Sequence, residues 1–456
     1  MPSKFGKSFA KTEEADLASG IYIRRMRRSD QVVLWALPAL ATFLCVSPAD
    51  AQTPLSHAAP VAVAIDFDEA LGLVDLHPRA QGAAGAVDEK KALDAQISRF
   101  VHNPQLTVQP GYRLAPRDSR QPEFVVELLQ PWNLGGYADA RRETVHLEEA
   151  VAEAGARATR LSLRLAVAES WIVTWAAERA LEDAERQGTI AAELARLVAR
   201  AADLGAATKA DAADADAYAA EVALARLDAE GELFVRGVAL ARALGGSDPR
   251  PRRTKGTLPT PPVPARDHLD QMLAVVARAP EIVRLEMSAR AERARAVEER
   301  AARGTSAAVG GLLQRDAPGG LVLSASLRLS PAIFDAGERE RASSAASARR
   351  MEGDAATARV DASASLVESF HEVEHAQESL QHARERFLPA ARSAADLRRR
   401  LYEAGRGTLP EVLFAERQAL SASARARQAE AGLAWARVKL WLLVAPLAIL
   451  TDERKQ

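Results

Sequence analysis

Cysteine is almost missing from this chain: Cys45 is the single one. It falls inside a segment read below as a cleaved signal, so the mature chain carries no thiol. That excludes disulfides, cysteine metal sites and thiol chemistry, and it suits an oxidising compartment. Aromatic residues make up only 5% of the chain and the formal net charge is -1. The basic excess that nucleic acid demands is therefore absent, and no nucleic-acid partner is expected. A glycine-rich phosphate loop with its lysine and a nucleophile elbow are lacking as well. Long hydrophobic runs are scarce. The one near the start, Val32 to Val46, follows Met26-Arg27-Arg28 and precedes Ala49-Asp50-Ala51. A charged start, a short apolar middle and an A-x-A site predict a secretory signal cleaved before Gln52. Pro38, Pro48 and the shortness of the run argue against a membrane anchor. Leu44 stands where a lipoprotein signal wants a small residue. Residues 1–51 are read as an N-terminal extension and signal peptide, with Met1 and Met26 both open as the start.

What the chain has instead is internal repetition. Gly205-Ala-Ala-Thr208-Lys-Ala-Asp211 and Gly405-Arg-Gly-Thr408-Leu-Pro-Glu411 share the pattern Gly-x-x-Thr-x-x-acid and lie 200 residues apart. Pro131 and Pro331, Gly136 and Gly337, His77-Pro78 and Ala279-Pro280, and Glu169-Ser170-Trp171 and Glu368-Ser369-Phe370 recur at nearly the same offset. Such a period is longer than that of solenoid repeats and describes two structural halves. The resulting organisation is a first repeat over 52–245, a proline-rich linker over 246–265, a second repeat over 266–450 and a polar tail over 451–456.

Within the first repeat, a helical pattern over Phe67 to Val101 is interrupted at Pro78. Residues Gln105 to Leu114 then alternate, with Leu106, Val108, Pro110 and Tyr112 on one face and Thr107, Gln109 and Arg113 on the other. Period two with one polar face predicts a strand, and Pro122 to Gln130 supplies its hairpin partner with Glu127 on the polar face. From Gly136 to Leu244 the period is helical and rich in alanine, broken only at Gly205. Glycine followed by threonine and an acid stops one helix and starts another, with Thr208 as N-cap and Asp211 in the capping-box place. The second repeat replays the order: a helix over Asp267 to Arg303, strands near Ala307 to Arg315 and Leu321 to Leu329, and a helical run from Gly337 that turns at Gly405 and ends near Val444. Gly310 and Gly311 are expected to weaken the first of those strands. In the second, Leu321, Leu323, Ala325, Leu327 and Leu329 face one way, with Ser324, Ser326 and Arg328 opposite.

Strands of about ten residues with one apolar and one polar face fit an outer-membrane barrel, with Arg113, Glu127 and Arg328 toward its lumen. Four strands cannot close a barrel and open edges are not tolerated in lipid, so oligomerisation follows. One motif points to chemistry instead. His371-Glu372-Val373-Glu374-His375 satisfies H-E-x-x-H, the zinc-protease pattern. A protease needs a third ligand and a cleft, and His382, the nearest candidate, lies on the same helix about two turns on. The reading assigns no catalytic residue, no cofactor and no metal site, and leaves a surface metal contact at His371 and His375 open.

The order helix, strand hairpin, long helical hairpin, repeated twice behind a signal, resembles the TolC-like outer-membrane efflux proteins. Tyr402-x-x-Gly405-x-x-Thr408-x-x-Glu411-Val412-Leu413-x-Ala415 is similar to that family's best-known stretch. Asn103-Pro104, Gln130-Pro131 and Gly135-Gly136 are similar to its first-half landmarks, and Gln130-Pro-Trp-Asn-Leu-Gly-Gly is closest to the heavy-metal branch. The resemblance implies a mainly α fold with a membrane β-barrel portion, as a homotrimer with a twelve-stranded barrel and a twelve-helix periplasmic tunnel. It implies tips at Gly205, Thr208, Gly405 and Thr408 that dock a periplasmic membrane-fusion adaptor joined to an inner-membrane pump of RND type. It implies a periplasmic constriction at Asp211 and Glu411, where this chain departs at Phe414 from the second aspartate of many members. A ring of phenylalanines narrows a duct by dewetting in place of charge. The function implied is passive conduction across the outer membrane, with metal cations, drugs or a polypeptide as cargo. A secreted helical scaffold that spans nothing is the alternative.

Overall fold

A computed structural model describes residues 63–96, 102–114, 120–316, 320–334 and 337–452. The signal-peptide reading of residues 1–51, the expected helix end at Val101, the last four residues and the side chain of Arg113 lie outside that set. The first repeat contains β1 (Ala64–Ile65), α1 (Phe67–Gly72), α2 (Pro78–Ala95), β2 (Gln105–Leu114), β3 (Arg120–Asn133), α3 (Tyr137–Asp203) and α4 (Lys209–Ala243). The segment between the repeats contains β4 (Arg253–Thr254), and the second repeat contains α5 (Leu269–Val276), α6 (Pro280–Ala302), β5 (Ser306–Asp316), β6 (Gly320–Ser330), α7 (Glu338–Gln381), α8 (Leu388–Glu403) and nearly all of α9 (Leu409–Asp452). Among the described residues no helix is long and apolar enough to cross a membrane.

Proline decides where the short helices start. Pro78 and Pro280 both occupy the first turn of their helices, the one place where a fixed φ and a missing N–H cost nothing. The stretch Asp267 to Arg303, expected as one helix, is therefore two. Length is kept across the duplication. α3 has 67 residues, and its counterpart consists of α7, a π-helical stretch over His382–Phe387 and α8, with 44, 6 and 16 residues, 66 in all. At 1.5 Å per residue each arm is about 100 Å long. The π stretch runs into Pro389, which has no N–H to return to the preceding turn, and a wider turn is how a helix absorbs that loss.

The proline-rich segment between the repeats is not a free linker. β4 pairs in parallel with β1, and the Arg252 N–H donates to the Gly237 carbonyl at 3.0 Å. A Cβ on Gly237 would lie 2.8 Å from the Arg252 carbonyl oxygen, so glycine lets the segment cross the helix. The buried Glu178 carboxylate accepts from the Thr254 N–H at 2.9 Å and also holds the Thr254 hydroxyl. Trp171, fully buried, donates its indole N–H to the Ile65 carbonyl at 3.0 Å and meets the edge of Phe67. The surrounding core takes Ile65, Val74 and Leu240 from the first repeat and Val438 and Leu442 from the second. The two repeats share a core and do not pack as separate bodies.

β2, β3, β5 and β6 form one four-stranded antiparallel sheet in that order. Its register puts Leu106, Leu128, Gly311 and Ala325 in one row and Val108, Val126, Leu313 and Leu323 in another. Among the described side chains that face is apolar apart from Gln130 and Arg315, and it is uncovered: Leu106, Val108, Tyr112, Leu128, Trp132, Leu321, Leu323, Leu327 and Leu329 are all exposed. β5, expected to be weakened by its glycines, is a full strand of 11 residues. Gly310 sits so close to β3 that a Cβ there would lie 1.8 Å from the Leu128 carbonyl oxygen. The absent side chain is what lets the two strands meet.

Candidate docking tips and membrane sheet

The two helical turns are built alike in glycine conformation and in their pair of closing hydrogen bonds. Gly205 has φ +76° and Gly405 φ +69°, the left-handed region that only glycine enters without strain. At the first turn the Ala206 N–H donates to the Ala201 carbonyl at 2.8 Å and Gly205 to Ala202 at 3.1 Å. At the second, Arg406 donates to Leu401 at 2.9 Å and Gly405 to Tyr402 at 2.9 Å. This pair of bonds closes the last carbonyls of a helix in a Schellman turn. Both glycines are exposed, with nothing within 4 Å of an added Cβ.

The helices leaving the turns are capped differently. Thr208 accepts from the Asp211 N–H at 3.0 Å, and the Asp211 carboxylate accepts from the Thr208 N–H at 2.9 Å, a complete capping box. Those hydrogen bonds hold the Asp211 carboxyl below its usual value. Glu411, in the matching place, instead pairs with Arg398 of α8 at 2.8 Å. Phe414 is 63% exposed. The turns adjoin each other: Val198, Ala215, Tyr218 and Val222 of the first hairpin pack with Leu409, Val412 and Leu413 of the second, and Tyr402 lies against them. Burial, and then the negative charge of Asp211, push the Tyr402 phenol up.

Just behind the turns lies a polar cluster that sequence reasoning missed. Glu416, buried on α9, accepts from Gln187 of α3 at 3.2 Å and from Arg399 of α8. Gln187 also donates to the Tyr218 hydroxyl of α4 at 2.8 Å. Arg417 stacks over the Tyr218 ring at 5.4 Å and bonds Glu221 at 2.7 Å. One network thus joins all four helices that meet at the turns. Its sequence signal was a glutamate and a glutamine at core positions of otherwise alanine-rich faces.

On the sheet, Glu127 and Arg328 share a face, as read from the alternation. Glu127 reaches across β5 at Gly310 to Arg328 at 3.3 Å and accepts from Ser326 at 3.0 Å. His371 and His375 stand exposed on α7 with no third ligand: among the described residues no group of three or more His, Cys, Asp or Glu is placed to hold a metal.

Comparison with known proteins agrees with this geometry. The outer membrane efflux protein family matches residues 273–445. Among curated protein sequences there is no match. The fold is similar to the outer-membrane channel OprN, at 20% identity over 83% of this chain and 89% of that one, with a TM-score of 0.63. It is similar to the CmeC outer membrane channel of Campylobacter jejuni, at 17% identity over 83% and 86%, with a TM-score of 0.64. CusC, solved for its transmembrane channel formation, gives 17% identity over 84% and 92% and a TM-score of 0.64. The second repeat thus matches the outer membrane efflux proteins by sequence, and the described chain as a whole has the fold of outer-membrane channels.

Proposed function

We propose that the chain is one protomer of a homotrimeric duct that spans the outer membrane and extends into the periplasm. In this reading it passively carries substrates, metal cations among them, from an adaptor and an RND-type inner-membrane pump to the exterior. The observation that carries the reading is the sheet. Its apolar face is bare, and among the described residues both edges, β2 and β6, are unpaired. Bare apolar strands with open edges are stable neither in water nor in lipid. Because the four strands alternate in direction, β6 of one copy meets β2 of the next antiparallel, and three copies close a barrel of twelve. β3, with 14 residues, is about 48 Å long and, tilted near 45°, covers an apolar band of about 25 Å. Tyr112 and Trp132 stand toward opposite ends of that face, where interfacial aromatics belong.

The helices support the same closure. α6 lies between two long arms, bound to α3 through Arg141–Glu298 and Arg295–Glu148 and to α7 through Arg303–Glu340 and Arg359–Glu286. Its duplicate α2 is bound to α3 through Lys90–Glu148 and Lys91–Glu153. By the duplication, the other side of α2 is the place for α7 of a second copy. At the far end, the paired turns with Gly205, Thr208, Gly405 and Thr408 offer backbone without side chains, which suits close docking of an adaptor. Asp211, Glu411 and Phe414 lie beside them and form the constriction. Glu127 and Arg328 line the barrel, together with Arg113 by its strand parity.

The experiment is single-channel conductance of the purified mature protein in a planar bilayer, with its mass measured in mild detergent. Trimers with a small conductance, enlarged by Glu411→Ala with Phe414→Ala, are expected. A soluble monomer without conductance would remove the barrel and return the chain to the scaffold reading.

A further inference from the structure

We propose that His371 and His375 form a two-imidazole site for a borderline transition-metal cation, with copper(II) bound most tightly, on the exposed face of α7. The two rings lie one helical turn apart with centroids 6.1 Å from each other. A single ion bound to both at about 2.0–2.1 Å per nitrogen needs the rings slightly closer. Both side chains are exposed, so rotamer changes close that gap freely.

The carboxylates of the motif do not compete for the ion. Glu372 is held by Lys439 at 2.9 Å and Glu374 faces Arg266 at 3.3 Å. They are tied to α9 and to the segment after the linker. Phe370, Val373 and Gln377 line a groove with Pro261 and Pro262 on that other side of the helix. The histidine face is what remains uncovered within the chain. Glu368 and Glu378, each three residues from a histidine, and His382 fall on that same face by helical spacing and are exposed. They give the stripe a negative field that attracts cations.

The donor set selects the cargo class. Imidazole pairs favour copper, nickel and zinc over magnesium or calcium, in the order that places copper highest. With two protein donors and no third in place among the described residues, water fills the remaining positions, and the ion exchanges readily. The site is therefore a contact in transit and not a structural metal. Its use in efflux rests on the duct reading; binding itself does not.

The test uses the untagged full-length protein in detergent, titrated with copper(II) by calorimetry and electron paramagnetic resonance, with magnesium as the comparison. One copper per chain with two imidazole nitrogens, and no magnesium binding, is expected. The double variant His371→Gln, His375→Gln changes only exposed side chains. It is expected to weaken copper at least about tenfold, the low end of what losing even an outer-sphere partner costs a metal site. Unchanged affinity in that variant, or a copper spectrum without imidazole nitrogen, overturns the site. Conductance of the same preparation without metal separates the two ideas. Copper bound through both imidazoles in a protein that conducts nothing leaves the site standing and removes the duct, whereas conduction without copper binding does the reverse.

Discussion

Valine at Gly205 and Gly405 separates docking from folding. Neither glycine has an atom within 4 Å of an added Cβ, so the only structural cost is backbone strain. A branched residue in the left-handed region costs about 1–2 kcal/mol, or about 2–4 kcal/mol for both turns of one chain. Against a domain stability of about 5–15 kcal/mol, and with the strain confined to an exposed turn, the trimer should persist. The turns' outer surface changes much more. Two isopropyl groups now stand on each chain where bare backbone was offered, and a partner built to approach that backbone is held off. Gly256→Val is the control, since Gly256 has φ +97° and equally open surroundings but lies in the segment between the repeats. The assay is efflux in cells carrying each variant, with trimer content read from the outer-membrane fraction. Loss of efflux with trimer retained is expected for the double tip variant, and normal efflux for the control. Normal efflux in the tip variant would refute the docking assignment, and equal loss in the control would refute the strain argument.

Three further outcomes follow from the packing. Gly310→Ala drives a methyl into the Leu128 carbonyl, so β3 and β5 should separate; loss of the outer-membrane trimer in the fractionated membrane is expected. Glu416→Ala strips a buried acceptor from Gln187 and Arg399. Because Arg399 is about a third exposed, the loss is discounted to about 1–3 kcal/mol, measured by thermal unfolding, and an unchanged transition would deny the network a structural role. The Asp211 carboxyl is held below its usual 3.8 by its bonds to Thr208, so its capping contribution is present in full above that value and fades as pH falls through the lowered one. Protection factors of the α4 amides after Asp211, taken relative to the intrinsic exchange rate at each pH, should fall on acidification in the wild type, and Asp211→Asn should lose that dependence.

Much of this fold was legible because the chain alternates between two clear periods. The strands fell within three residues of their observed ends, and Gln105–Leu114 matched at both, since period two is broken sharply by proline and glycine. Gly205 and Gly405 marked the hairpin turns for a stereochemical reason, as did Thr208 with Asp211. What stayed hidden was non-local. No pattern in 246–265 tells that Thr254 will meet Glu178 or that β4 will find β1, 189 positions before Arg253 in the register of Ala64. Alanine-rich faces also conceal polar partners: Glu416 lay unremarked six residues from Pro410, because only the meeting of α3, α4, α8 and α9 gives it work. The glycines of β5 misled for the opposite reason. Read alone they weaken a strand, whereas beside β3 the lack of a side chain is what the pairing requires.

The duplication is closest at the two turns, the proposed docking tips, and loosest behind them. The two turns superimpose in φ and in hydrogen bonding, down to the same pair of closing bonds. Behind them the repeats part. The first arm is an unbroken helix, while the second contains a π stretch and a proline. The first acid after the turn caps its own helix, while the second is drawn off to Arg398. Arg398 and Arg399 both lie on α8, beyond the π stretch, and between them they hold Glu411 and Glu416 of α9. α8 and α9 are thus fastened to each other by charge. α9 is in turn tied to the first hairpin by charge: the Glu416 carboxylate accepts from Gln187 of α3, Arg417 bonds Glu221 of α4 and Arg427 bonds Asp183 of α3. If the second hairpin moves against the first, these contacts of α9 must open, and α8, fastened to α9 through Arg398 and Arg399, should travel with it, hinged at the π stretch.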